Sequence, residues 1–112
     1  MTATTRQTIA DALSTVAGLT GYVKRPEVLG EGIGWARPRL LSRGPGQAWQ
    51  TTWSVIVLLS GDEDTACDQL DEFAVLLPDA LIELLFVDTI APYALTTDAG
   101  DLFGIELIAR SE

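Results

Sequence analysis

The stretch Gln47-Ala-Trp-Gln-Thr-Thr-Trp-Ser-Val-Ile-Val-Leu-Leu-Ser-Gly-Asp-Glu63 changes period part-way along. From 47 to 59 it alternates. Trp49, Thr51, Trp53, Val55, Val57 and Leu59 fall on one face of a strand. Gln50, Thr52 and Ser54 fall on the other, which turns apolar at Ile56 and Leu58. Such a strand begins half-exposed and ends covered on both sides, so its second half belongs at the centre of a sheet. Ser60-Gly-Asp-Glu63 then reads as a capping box, with Asp62, Glu63 and Asp64 where a helix dipole favours negative charge. Ala66, Leu70, Phe73, Leu77, Leu81 and Leu84 follow at steps of three and four, one apolar helical stripe. Pro78 interrupts the stripe and predicts a kink, or a break that opens a short second helix.

The flanks extend this pattern. Thr4-Thr5-Arg6-Gln7 matches a capping box with Thr4 as N-cap, and Ile9, Ala12, Leu13 and Val16 recur at helical spacing. A first helix is expected over 5–17, with Gly18 at its end. Residues 20–24 read as a short strand. Residues 25–35, with Pro26 and three glycines, read as a long flexible loop. Residues 36–42 return as a strand that Pro38 confines to an edge or interrupts. Gly44-Pro45-Gly46 is a turn. Past the second helix, 86–95 and 102–110 are strands joined by a turn at 96–101. Phe103, Ile105, Leu107 and Ala109 face one way on the last strand and Glu106 the other. The order α-β-β-β-α-β-β predicts a single α+β domain over 1–112, a mainly antiparallel sheet flanked by two helices.

Composition narrows the function. The chain has 112 residues, 47% hydrophobic and 21% charged, with one cysteine and no histidine. No apolar run approaches the ~18 residues that span a bilayer. The opening Met1 to Arg6 has no apolar signal core, so no secretion signal is expected. Absence of histidine removes imidazole acid–base chemistry and most transition-metal sites. The lone Cys67 lies among acids, which lowers thiol reactivity, and beside the apolar stripe, so it reads as structural. Gly30-Glu-Gly-Ile-Gly34 lacks the strand and helix that a phosphate loop needs on either side. Asp62, Glu63, Asp64 and Asp68 lack the alternation of a calcium loop. Asp88 and Glu106, placed to face each other across neighbouring strands, have no cleft around them to serve as an acid–base pair. No enzyme activity, cofactor or metal is expected.

The charge is uneven. The net charge is −9, yet Lys24, Arg25, Arg37, Arg39 and Arg43 cluster within twenty residues with only two acids among them. That window carries +3 and the rest of the chain −12. An acidic protein is a poor general binder of nucleic acid. A basic arm and an acidic helix start can instead pair between copies, or be plain solvated surfaces. Trp35, beside Arg37 and Arg39 in the loop, has the composition of a binding hot spot. The other reading folds it back as a lid on the sheet. The candidate subunit or partner interface is thus Lys24, Arg25, Trp35, Arg37, Arg39 and Arg43, with Asp62, Glu63, Asp64 and Asp68 opposite.

Several segments together resemble a known family: Thr5-Arg-Gln-Thr-Ile-Ala-Asp-Ala-Leu13, Val16-Ala-Gly-Leu-Thr-Gly21, and Trp53-Ser-Val-Ile-Val57 running into an acidic helix. Phe86-Val-Asp-Thr-Ile-Ala-Pro92 and Leu102-Phe-Gly-Ile-Glu-Leu-Ile-Ala-Arg110 complete the set. The chain resembles the tail terminator proteins of long-tailed bacteriophages, especially those infecting actinobacteria. The resemblance implies a structural role without chemistry. Such proteins form a six-membered ring on the completed tail tube, stop its growth and meet the head-side connector protein. DNA passes through the lumen unread, and no membrane is involved. The expected place is the virion neck, after synthesis in the bacterial cytoplasm. Two other readings stand beside it: another neck or head–tail connector subunit, and a small cytosolic adaptor domain.

Overall fold

The computed structural model describes residues 5–43, 49–97 and 100–111, with the side chains of Ser42, Arg43, Trp49 and Thr97 outside the description. The elements run α1 (Arg6–Leu13), β1 (Thr20–Tyr22), β2 (Ile33–Arg43), β3 (Trp49–Leu58), α2 (Glu63–Leu81), β4 (Phe86–Thr97) and β5 (Gly100–Ser111). The fold is α+β, in the predicted element order. The five strands form one sheet in the order β1-β2-β3-β5-β4. β1 pairs parallel to β2, and every other pair is antiparallel. β3 is the central strand, as its two-sided burial requires.

Both helices cover one face. Ile9 and Leu13 of α1 and Phe73, Leu77 and Leu81 of α2 pack with Trp53, Val55 and Val57 of β3 and Ile105, Leu107 and Ala109 of β5. Leu70 and Leu84 sit at the margin of that cluster, half-buried. The helix-free face has a smaller core. There Trp35, Ile56 and Leu58 are buried against Leu29, Ile33, Tyr93 and Leu102. The apolar turn of β3 at Ile56 and Leu58 is therefore covered by neighbouring strands and the loop before β2, not by a helix.

Several boundaries move. α1 ends at Leu13 rather than 17, and its capping box is Thr5 with Thr8. Thr8 donates its amide to Thr5 Oγ1 at 3.2 Å, and Thr5 donates its amide to Thr8 Oγ1 at 2.8 Å. Gln7 instead donates to Asp11 one turn on, at 2.8 Å. Thr4, the Gly44-Pro45-Gly46 turn, the first two residues of the expected 47–59 strand and part of the 96–101 turn lie outside the described residues. The N-cap of α2 is Asp62, not Ser60. Asp62 accepts from the amide and the hydroxyl of Thr65, at 3.1 and 2.7 Å. α2 runs through Pro78 as one helix to Leu81. Leu77 and Leu81, both wholly buried, hold the turn that the missing amide weakens.

β1 is shorter than expected, ending at Tyr22. The Ser14 hydroxyl at the end of α1 donates to the Ala10 carbonyl at 3.0 Å and accepts from the Gly21 amide at 2.9 Å. The same glycine lies so close to the Ala10 carbonyl that a side chain would run into it. β1 is thus clamped under α1. Gly104 in β5 makes a second close approach: a Cβ there would lie 2.7 Å from the Val57 carbonyl oxygen.

Candidate functional site

The basic window occupies two structures. Lys24 and Arg25 lie in the connection 23–32 and are exposed. That connection is shorter than the expected 25–35 loop, because Ile33, Gly34 and Trp35 already belong to β2. Its far end is tied down rather than free. Gly32 donates its amide to the Leu58 carbonyl at 3.0 Å and accepts from the Thr20 amide at 2.8 Å. It does so at φ +83°, with the Gly18 carbonyl oxygen 2.5 Å from where a Cβ would sit, so only glycine fits. Beside it, Glu31 accepts from Gln69 of α2 at 2.8 Å, and Gln69 in turn accepts the Ser60 amide at 2.8 Å.

Trp35 is not an exposed hot spot. It is 4% exposed, pressed onto Ile56 and Leu58. Nor does it fold back from a loop as a lid: it is a residue of β2 itself, buried on the helix-free face, and it leaves the candidate interface. The alternation Ile33-Trp35-Arg37 carried that signal, but the flanking glycines masked it. Its neighbours Arg37 and Arg39 are exposed on the outer half of β2. Arg37 stands opposite Ser54 on the helix-free face, and Arg39 is the extra residue where the register shifts between Pro38 and Leu40. Arg43 ends the strand opposite Trp49, its side chain outside the description.

The acids sit elsewhere. Asp62, Glu63, Asp64 and Asp68 are exposed along the first turns of α2, on the helical side of the sheet. Thr65 holds the Asp62 carboxyl below its usual range, first through the hydroxyl and then through the amide. Among the described residues the basic and acidic sets form no ion pair with each other. Among the described residues the one ion pair joins Arg110 and Asp88 at 2.8 Å. Lys24, Arg25, Arg37 and Arg39 have no ion-pair partner there.

Asp88 and Glu106 do not face each other. A register shift between Val87 and Thr89 displaces Asp88 towards Arg110, while Glu106 lies across from Ala91. Glu106 accepts instead from Ser54, which is fully buried, at 2.8 Å. Cys67 is exposed, not packed beside the stripe. Among the described residues no group of three acids or cysteines is arranged to hold a metal ion. No helix there is long and apolar enough to cross a membrane. A shallow cavity of about 360 Å³ lies between the end of α1, Gly32 and α2, with Glu31, Gln69 and Glu72 at its rim.

The structure adds residues that composition did not single out. Leu40 and Leu41 are 58% and 59% exposed on β2, and Phe86 is 64% exposed at the start of β4. The Arg110 guanidinium lies 4.9 Å from the Phe86 ring centroid. Leu40, Thr52, Arg110 and Phe86 pair in turn across β2, β3, β5 and β4, so they form one row on the helix-free face. A Leu-Leu pair set among arginines in an edge strand was the available sequence signal. Comparison with family models, curated proteins and solved structures returns no match.

Proposed function

We propose that this protein is a non-enzymatic virion subunit, a tail terminator whose copies form a ring, hexameric by the resemblance. The ring caps the tail tube, stops its polymerisation and joins the tube to the head-side connector. The observation that carries the reading is the separation of charge. Exposed cations on the connection before β2 and on its outer half have no ion-pair partner within the described chain, and exposed acids crowd the start of α2. Two unlike patches on one domain suit a heterologous contact, in which each copy offers one patch to each neighbour. A net charge of −9 suits a conduit, because DNA slides past a surface of like sign. The resemblance over the helix, strand and closing segments supplies the role.

The test is the native mass of the purified protein, alone and mixed with tail tubes of the same phage, by light scattering and electron microscopy. A ring, or a cap on tube ends, is the expected result. A monomer that ignores tubes defeats the proposal and leaves the adaptor-domain and other-connector readings.

A further inference from the structure

The sheet has two open edges, and they differ. β1 pairs with only three residues of β2, Ile33 to Trp35, so among the described residues no strand lies beyond 36–43. β4 is the opposite edge along its whole length, 86–97. Long open edges present unpaired amides and carbonyls and are templates for another strand. The β2 edge carries Arg37, Arg39 and Arg43 and no acid. The β4 edge carries Asp88 and no cation.

We infer that the open edge of β2 receives the open edge of β4 from a second copy, adding it antiparallel so that the sheet runs on from copy to copy. The partner, another copy, rests on the ring-subunit reading; the surface is new. Three antiparallel steps separate β2 from β4, so the two run in opposite directions. A copy displaced sideways, with its helices on the same side, therefore brings β4 to β2 in antiparallel orientation. The rows then continue. Leu40 meets the partner's Phe86, joining two exposed apolar side chains. Arg37 comes level with the partner's Thr89, and the partner's Asp88 with the Arg37–Arg39 stretch. The partner's Pro92 falls level with Gly34, where β1 already fills the edge. The stretch of β4 before that proline is what faces the free part of β2.

The like-to-like alternatives are weaker. Two β2 edges would set arginines against arginines, which repel across strands. Two β4 edges would close a dimer and leave β2 open. Pro38 and the two register shifts shorten the new ladder, and they also guard these edges against indiscriminate strands. Each copy offers one edge of each kind, so the contact is heterologous and closes only if the rotation per copy closes.

Cysteine pairing tests this on the full chain carrying Cys67→Ser. One protein carries Leu40→Cys, the other Phe86→Cys, each checked for native circular dichroism. Directly opposed residues in an antiparallel pair come within reach of a disulfide. Mild oxidation of the mixture should give a cross-linked dimer, and neither protein alone should. The double variant should give a ladder of linked chains. If light scattering shows assembly but the mixture stays unlinked, or Phe86→Cys links to itself, the edge pairing is wrong while the ring reading stands. A chain that stays monomeric alone and with tubes overturns both.

Discussion

Trp53 shows how one side chain joins two strands. Its indole N–H donates to the Ser111 hydroxyl at 2.8 Å, where both residues are nearly excluded from water. Phenylalanine would keep most of the apolar contact and orphan the hydroxyl. An unsatisfied buried group costs about 1–3 kcal/mol, so Trp53→Phe should lower unfolding stability by that amount in a urea titration. Ser111→Ala should cost a similar amount, because it orphans the buried indole N–H in the same way. The core position of Trp53 was legible from Val55 and Val57 beside it. Trp35 was not, because three glycines around it read as loop, and only long-range pairing, of 33–35 with β1 and of Gly34 and Trp35 with β3, turns that segment into strand. Gly21 was equally hidden: its closeness to α1 depends on two elements meeting, which no local pattern encodes.

α2 carries the predictions that belong to elements. Its apolar stripe was legible residue by residue, because the 3.6 period survives the proline. Pro78 in a helix interior removes one backbone bond and crowds the preceding turn, at a cost of about 3 kcal/mol in exposed helices. Here packing of Leu77 and Leu81 holds the helix together. Pro78→Ala should therefore raise stability, by about 1–3 kcal/mol, read as a higher urea midpoint. The N-cap is sensitive to pH. Thr65 holds the Asp62 carboxyl below its ordinary value in the folded chain. A lowered folded-state value means stability that is present above the unfolded value and lost as pH falls through the folded one. Asp62→Ala should therefore melt below the wild type near neutral pH, and the gap in Tm should narrow on acidification through the carboxylate range. The cap itself was misread by two residues, since Ser60 and Asp62 both precede an acidic turn and the choice rests on which side chain reaches Thr65.

For the molecule as a whole, the fold class and element order followed from periodicity, whereas the strand order did not. That β5 lies between β3 and β4 follows from long-range pairing alone. The charge asymmetry was legible as composition; that its halves form no ion pair with each other among the described residues was not. Reversing both exposed arginines of β2, Arg37→Glu with Arg39→Glu, should weaken self-association at least tenfold in low salt, measured by sedimentation. Wild-type association should itself weaken with added salt, because exposed charges are screened beyond about 10 Å at 0.1 M.

The close approach of Gly104 to the Val57 carbonyl has one more consequence, for errors in assembly of the sheet. From Val55 to Leu58 the central strand is apolar on both sides, so its own pattern does not fix the register of β5 against a one-residue slip. Such a slip brings Phe103 or Ile105 to a place where only a hydrogen atom fits. The glycine acts as a notch: β5 set one residue out of step cannot close onto β3, and the chain is returned to try again before its two faces are exchanged.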